Sequence, residues 1–88
     1  MEQLEVNVEK DSYEKIKQSK GFVKLIITIH TTTDGVHGVK DIFLIVPSAS
    51  ILYITDVDNV YHGVLNSELS SEINKKYPHR DRPYIQEI

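Results

Sequence analysis

The stretch 22–46, FVKLIITIHTTTDGVHGVKDIFLIV, decides the fold, because two apolar runs flank a polar centre that contains Asp34-Gly35. An Asp-Gly pair between two such runs is the strongest short-range signal for a β-hairpin with a two-residue turn. In the first run, apolar residues occupy every odd-numbered position over 23–29, which places them on one strand face. The second run, 42–46, is apolar without alternation. The stretch therefore predicts a long hairpin whose second strand is apolar on both faces.

The residues on either side of this hairpin predict short helices and further strands. In chain order, the predicted elements are a strand over 4–8, a helix over 12–20 opened by an Asp11/Glu14 capping box, the hairpin, strands over 51–54 and 60–65, a helix capped by Asn66 or Ser67 that Pro78 limits to Tyr77 at most, and a short edge strand at Tyr84-Ile85. Short turns between successive strands favour antiparallel pairing. The sequence therefore predicts one α+β domain over 1–88, with a strongly twisted, mostly antiparallel sheet of five or six strands, open or partly rolled, and two short helices.

The second hairpin strand also predicts how the sheet must be covered. One of its faces carries Val39, Phe43 and Ile45, and the other carries Ile42, Leu44 and Val46. Burying each such side chain is worth about 1.5–3 kcal/mol, in a domain whose total stability is about 5–10 kcal/mol. Both faces should therefore be covered. Because the helices offer few apolar residues, the remaining cover would come from rolling of the sheet or from a second copy of the chain, and unpaired sheet edges would also suit a homodimer.

Composition narrows the class of protein. The 88 residues contain no cysteine, which excludes disulfides and thiol chemistry and fits a reducing compartment. The acidic, alternating start of the chain is unlike a signal peptide, and no apolar run approaches the roughly 18 residues that span a bilayer. The formal net charge of −3 disfavours a general nucleic-acid binder. We therefore expect a cytoplasmic protein that does not enter membranes.

The sequence lacks the motifs that would indicate catalysis or a bound metal. A nucleophile elbow, a phosphate loop and a dinucleotide fingerprint do not occur in the sequence. Residues 56–59 resemble the opening of a calcium loop, but the required glycine and glutamate positions hold Tyr61 and Ser67. His30 and His37 flank the predicted turn and could lie across from each other, yet three histidines could hold a metal only if distant segments converge. We expect no enzyme activity and no cofactor.

A basic patch near the first helix offers one candidate interaction site. The patch consists of Lys15, Lys17, Lys20 and Lys24. Lysines grouped in this way can contact phosphates, so a nucleic-acid-associated protein is one alternative function. The same lysines can equally form the solvated side of a surface helix. Salt dependence would separate these interpretations, because binding through phosphates weakens steeply between about 50 and 200 mM salt.

Aromatic and basic residues in the last third of the chain offer the second candidate site. The predicted contact residues are Tyr61, His62, Tyr77, Arg80, Arg82 and Tyr84. Tyrosine and arginine are enriched at protein interfaces, whereas a half-buried tyrosine with a wet hydroxyl is also common on a strand. The leading hypothesis is therefore a small non-catalytic domain that binds a protein partner, with a homodimer as one form of that binding.

Two short motifs carry a resemblance to a family. The triplet Tyr61-His62-Gly63 and the closing Tyr84–Ile88 segment resemble the YkvR-like small bacterial domains, which are similar in length and also begin with a short strand before a longer hairpin. That family has no assigned function. The resemblance therefore implies a fold and a bacterial origin, and it implies no activity.

Overall fold

The computed structural model describes residues 3–88, so Met1 and Glu2 of the predicted domain lie outside the described residues. The strands are β1 (Glu5–Val8), β2 (Phe22–Thr33), β3 (Val36–Pro47), β4 (Ile51–Val57), β5 (Val60–Leu65) and β6 (Tyr84–Gln86). The helices are α1 (Tyr13–Gln18) and α2 (Ser67–Lys76), with 3₁₀ turns at Lys10–Ser12 and Ser48–Ser50. The described chain is thus an α+β fold with one six-stranded, mostly antiparallel sheet, as the sequence predicts.

The hairpin of β2 and β3 forms as predicted. The two strands pair in unbroken register from Phe22↔Pro47 to Thr33↔Val36. Asp34 and Gly35 connect them with φ angles of 53° and 77°. Positive φ at both central residues defines the type I′ turn, whose twist matches that of the strands it joins. Local turn chemistry therefore fixes which residues of the hairpin face each other.

The sheet order is β3-β2-β6-β1-β5-β4, and it corrects one prediction. The sequence predicts Tyr84-Ile85 as an edge strand, but β6 lies in the middle of the sheet. It runs antiparallel to β2 and parallel to β1. Ile85 is consequently fully buried, because both of its neighbouring strands and the core surround it. A strand of three residues carries no pattern that distinguishes a central from an edge position.

The first helix is shorter than predicted. The α-helix α1 ends at Gln18, three residues before Gly21, with Ser19 as its C-cap, and the predicted Asp11 cap is replaced by a 3₁₀ turn without a side-chain cap. Tyr13 and Ile16 nevertheless anchor α1 in the core, as expected. The helix α2 begins as predicted, since the Asn66 side chain accepts a hydrogen bond from the Leu69 N–H at 2.9 Å.

The two helices pack on the same face of the sheet, which we call the inner face. The core joins Tyr13, Ile16 and Ile73 of the helices to inner-face strand residues: Val6, Val8, Val23, Leu25, Ile27, Val46, Leu65 and Ile85. The opposite, outer face carries no helix among residues 3–88. The sheet is open rather than rolled into a closed form. Of the two sources of cover that the sequence analysis considered, rolling of the sheet does not occur, so a single chain leaves the outer face without a covering layer.

Candidate protein-binding surface

The hairpin presents an apolar cluster on the outer face, which we call the outer patch: Ile26, Phe43, Ile45 and Tyr84. Ile26 lies directly across from Phe43 on β3 and from Tyr84 on β6. Phe43 is 60% exposed and Ile45 is 59% exposed, whereas Ile26 is buried by its neighbours. The Lys24 ammonium lies 5.5 Å from the centre of the Phe43 ring, within the range of a cation–π contact. The outer patch is thus an apolar surface that is partly exposed to solvent, with the positive charge of Lys24 at its border.

Polar side chains follow the outer patch toward the hairpin turn. Thr28 Oγ1 donates a hydrogen bond to Asp41 Oδ1 at 2.7 Å across the two strands. Two residues further along β2, His30 Nδ1 lies 3.1 Å from His37 Nε2. His30 Nε2 also lies 2.7 Å from Asp81 Oδ1, which belongs to the segment between α2 and β6. His30 and His37 therefore lie close together as diagonal neighbours rather than directly across from each other, because His30 pairs with Val39 and His37 with Thr32.

The strand β3 is the free edge of the sheet beside the outer patch. The N–H of His30 donates to His79 O at 2.9 Å, and Thr28 O accepts from the Asp81 N–H at 2.9 Å. These backbone groups of β2 therefore point away from β3. In an antiparallel pair, the residues opposite them must likewise point away from β2. The backbone groups of β3 directed outward consequently belong to His37, Val39, Asp41, Phe43 and Ile45.

The other edge of the sheet is better protected. The strand β4 has seven residues, against twelve in β3, and its pairing with β5 is interrupted by a register shift between Ile51 and Tyr53. A short strand and a bulge are two of the ways in which proteins discourage edge-to-edge association. The stretch 42–46 of β3 contains neither a charged residue nor a proline. Of the two edges, β3 is the one open to a further strand.

The structure places the predicted aromatic contact residues on both sides of the sheet. Tyr61 lies on the inner face, where its ring meets that of Tyr13 edge-on with centroids 4.8 Å apart. Tyr77, at the end of α2, packs against the core. His62 and Tyr84 share the outer face, opposite Asn7 of β1. Only Tyr84 of these four residues belongs to the outer patch, so the six predicted residues do not form one surface.

The two predicted arginines are engaged within the chain. Arg80 donates to Tyr77 O at 3.3 Å and to the Asn74 side chain, so it closes the C-terminal end of α2. Arg82 forms an ion pair with Glu5 of β1 at 3.3 Å. Their guanidinium groups therefore fix the segment that leads into β6. A contact of either arginine with a partner stays a prediction.

The predicted basic patch is divided. Lys24 lies on the outer face, whereas Lys15 and Lys17 project from α1 on the inner side. Lys15 pairs with Glu87 at 3.4 Å, and the Lys17 ammonium lies 5.8 Å from the Tyr13 ring centre. Lys20 is exposed beyond the end of the helix. Because α1 ends at Gln18, the lysines do not share a helical stripe.

Within residues 3–88, no group of three or more histidine or acidic side chains is arranged to hold a metal ion. The hydrogen bond from Lys76 Nζ to Glu72 Oε1, 3.0 Å long, raises the pKa of Lys76, helped by the attraction between their charges. That pair lies on the exposed side of α2. Apolar side chains are also exposed at the other end of the sheet, at Leu52, Tyr53, Val57 and Val60, so the hairpin surface is distinguished by its longer free edge.

The sequence analysis expected the strand face of Phe43 and Ile45 to be covered, and so it did not identify them as exposed residues of the single chain. Their apolar character was visible, but the position of β3 at the end of the sheet was not. Comparison with models of protein families, with curated proteins and with solved structures gives no match. No helix in the described part of the chain is long and apolar enough to cross a membrane.

Proposed function

We propose that this protein is a non-catalytic interaction domain that binds protein through the outer patch and the β3 edge, and that its partner there is a second copy of the chain. The exposed outer patch is the observation that carries the proposal. The strand β3 exposes three apolar side chains to water: Val39, Phe43 and Ile45. This exposure is unfavourable in free energy, and burying the side chains on association would be favourable. The cysteine-free composition favours the cytoplasm as the place of this association.

The β3 edge supports a strand as the structure that docks. Its outward N–H and C=O groups repeat along five alternate residues, from His37 to Ile45. A strand added beside residues 42–46 would satisfy the outward groups of Phe43 and Ile45 by extending the sheet, while its side chains lay beside the outer patch. A second copy brings a strand of the required kind, because the same β3 carries the complementary row of backbone groups.

Charge and apolar matching select one arrangement of the two copies. A two-fold axis at Asp41 would oppose two carboxylates, which is unfavourable. An axis at Leu44 instead pairs Phe43 with the second copy's Ile45, and Leu44 with its own equivalent. Val46 then faces the second copy's Ile42. We therefore place the axis at Leu44, where residues 42–46 of both copies form an antiparallel apolar pair.

Sedimentation at several concentrations tests this proposal. We expect the wild-type chain to form dimers at micromolar concentration and the variant Phe43→Lys to remain monomeric with an unchanged circular dichroism spectrum. A Pro at position 45 provides a second probe, because Ile45→Pro removes an outward N–H needed for the added strand. Thr55→Lys, on the distant strand β4, is the control and should dimerise as the wild type does.

Two outcomes would contradict the proposal. A wild-type chain that stays monomeric up to millimolar concentration would exclude self-association. Dimerisation that survives Phe43→Lys and Ile45→Pro would place the interface elsewhere. Cross-linking of Leu44→Cys tests the axis directly, since a disulfide between the two copies forms only where their Cα atoms approach within about 7 Å.

A further inference from the structure

We propose that His30 and His37 form a binding site for a borderline divalent transition metal, such as zinc, with Asp81 holding His30 in the ligating orientation. The proposal is independent of dimerisation, because the three side chains belong to one chain. It rests on two contacts at the turn end of the hairpin: the 3.1 Å separation between the two imidazole nitrogens and the 2.7 Å contact between His30 and Asp81.

The first contact has the spacing that two metal ligands need. Zinc–nitrogen bonds are about 2.0–2.1 Å long, so two imidazole nitrogens on a tetrahedral ion lie about 3.3 Å apart. His30 Nδ1 and His37 Nε2 are already 3.1 Å apart. A shift of the exposed His37 ring by a few tenths of an ångström would admit the ion between them. The pairing of β2 with β3 makes the two histidines diagonal neighbours, because His30 lies opposite Val39 and His37 lies opposite Thr32.

The second contact favours one tautomer of the neutral His30 ring. An ionised carboxylate only accepts hydrogen bonds, so Asp81 Oδ1 requires the proton of neutral His30 to be on Nε2. The lone pair of His30 is therefore on Nδ1, directed toward His37. Without metal, His37 Nε2–H can donate to that lone pair. With metal, His37 carries its proton on Nδ1, and the ion replaces the hydrogen bond by lying beside the line between the two nitrogens, about 2.0–2.1 Å from each.

Asp81 thus acts as a positioning residue. Metal-ligating histidines almost always donate their other ring N–H to a carboxylate, a carbonyl or water, and loss of such a partner typically weakens metal affinity by about 10–100-fold. The backbone holds Asp81 in place, because its N–H donates to Thr28 O at 2.9 Å. The backbone of Asp81 is therefore hydrogen-bonded to β2, the strand that also carries His30.

The site is open on the outer face. Two protein ligands leave the remaining positions of the ion to water, and imidazole ligands suit zinc, nickel and copper rather than magnesium or calcium. The ion would join β2 and β3 close to their turn, where Thr32 lies opposite His37. Metal binding would therefore stabilise the open end of the hairpin.

Calorimetric titration of the wild-type chain with zinc chloride tests the site. We expect saturable binding of one ion per chain, a loss of at least tenfold in affinity for His37→Gln, and a loss of about tenfold for Asp81→Asn. His79→Gln and His62→Gln are matched controls that remove a histidine elsewhere, and both should bind zinc as the wild type does. Zinc should also raise the Tm of the wild type but not that of His37→Gln, because the folded state alone presents the ligands.

Nuclear magnetic resonance of the imidazole nitrogens provides a second readout that does not depend on affinity. Zinc should shift His30 Nδ1 and His37 Nε2 and leave His62 unchanged. Binding that His37→Gln does not weaken, or zinc-induced shifts confined to other histidines, would overturn the proposal. A wild-type chain that shows no saturable zinc binding would overturn it as well. None of these results depends on whether the chain dimerises, so the two proposals fail separately.

Discussion

Ile26 and Phe43 face each other directly across β2 and β3 on the same side of the sheet, yet Ile26 is 3% exposed and Phe43 is 60% exposed. The difference follows from the position of their strands. Ile26 has β3 on one side and Tyr84 of β6 on the other, whereas Phe43 lies on the sheet edge with a neighbour on one side only. Two residues of similar hydrophobicity thus contribute differently to the stability of a single chain.

The difference in burial predicts that the two residues contribute unequally to the free energy of unfolding. Ile26→Ala should lower the free energy of unfolding by about 2–5 kcal/mol, because it leaves a cavity in a packed site. Phe43→Ala should cost only about 1 kcal/mol in a dilute monomer, since most of its ring is already in water. Chemical denaturation at low micromolar concentration measures both values. A loss above 3 kcal/mol for Phe43→Ala would mean that its ring is buried within the chain.

The central position of β6 predicts that the last residues carry a large share of the stability. Ile85 is fully buried, whereas Ile88, three residues later, is 72% exposed. Ile85→Ala should therefore cost about 2–5 kcal/mol, and Ile88→Ala should stay within about 0.5 kcal/mol of the wild type. Thermal unfolding followed by circular dichroism compares them. Equal effects of the two substitutions would contradict the insertion of β6 between β2 and β1.

Gly63 predicts a steric requirement in β5. A Cβ at this position would lie 2.8 Å from Ile54 Cγ2 and 2.9 Å from Tyr53 O, and the second atom is backbone that cannot turn aside. Gly63→Ala should therefore destabilise the fold by about 1–3 kcal/mol. Gly21→Ala is the matched control, because nothing lies within 4 Å of its Cβ position. Urea unfolding of both variants measures the two effects. A neutral Gly63→Ala would contradict the close approach of β4 to Gly63.

Ser70 forms a polar contact between α2 and Leu4, the residue before β1. Its hydroxyl is fully buried, accepts from the Leu4 N–H at 2.8 Å and lies 3.4 Å from Leu65 O. Ser70→Ala leaves the Leu4 N–H without that acceptor and should cost about 1–3 kcal/mol. The exposed neighbour Ser71 gives a control, for which Ser71→Ala should be nearly neutral. Faster hydrogen exchange of the Leu4 amide in Ser70→Ala would identify the cause.

Local chemistry explains which parts of the fold could be predicted from the sequence. The turn at Asp34-Gly35 and the Asn66 cap depend on a few adjacent residues, so their residue types indicate them directly. The approach of His30 to His37 follows from the hairpin register that this turn imposes. These features required no knowledge of distant parts of the chain.

Non-local pairing explains what the sequence could not predict. Asp81 reaches His30 across 51 positions, and no spacing rule connects them. The apolar pattern of β3 is the same whether the strand lies inside a sheet or at its edge, so it could not identify Phe43 as exposed. The three residues of β6 likewise fit an edge as well as a centre. Strand order, which decides all three cases, is a property of the whole sheet.

The insertion of β6 between β2 and β1 also sets the order in which the protein can assemble. As the chain leaves the ribosome, the hairpin and the group of β1, β5 and β4 emerge first, without the strand that hydrogen-bonds to both. Contacts between such distant segments form slowly, because a long loop must close before they are made. Until residues 84–86 pair, the two parts of the sheet lack the strand that connects them and can be held together only by the helices packed on the inner face.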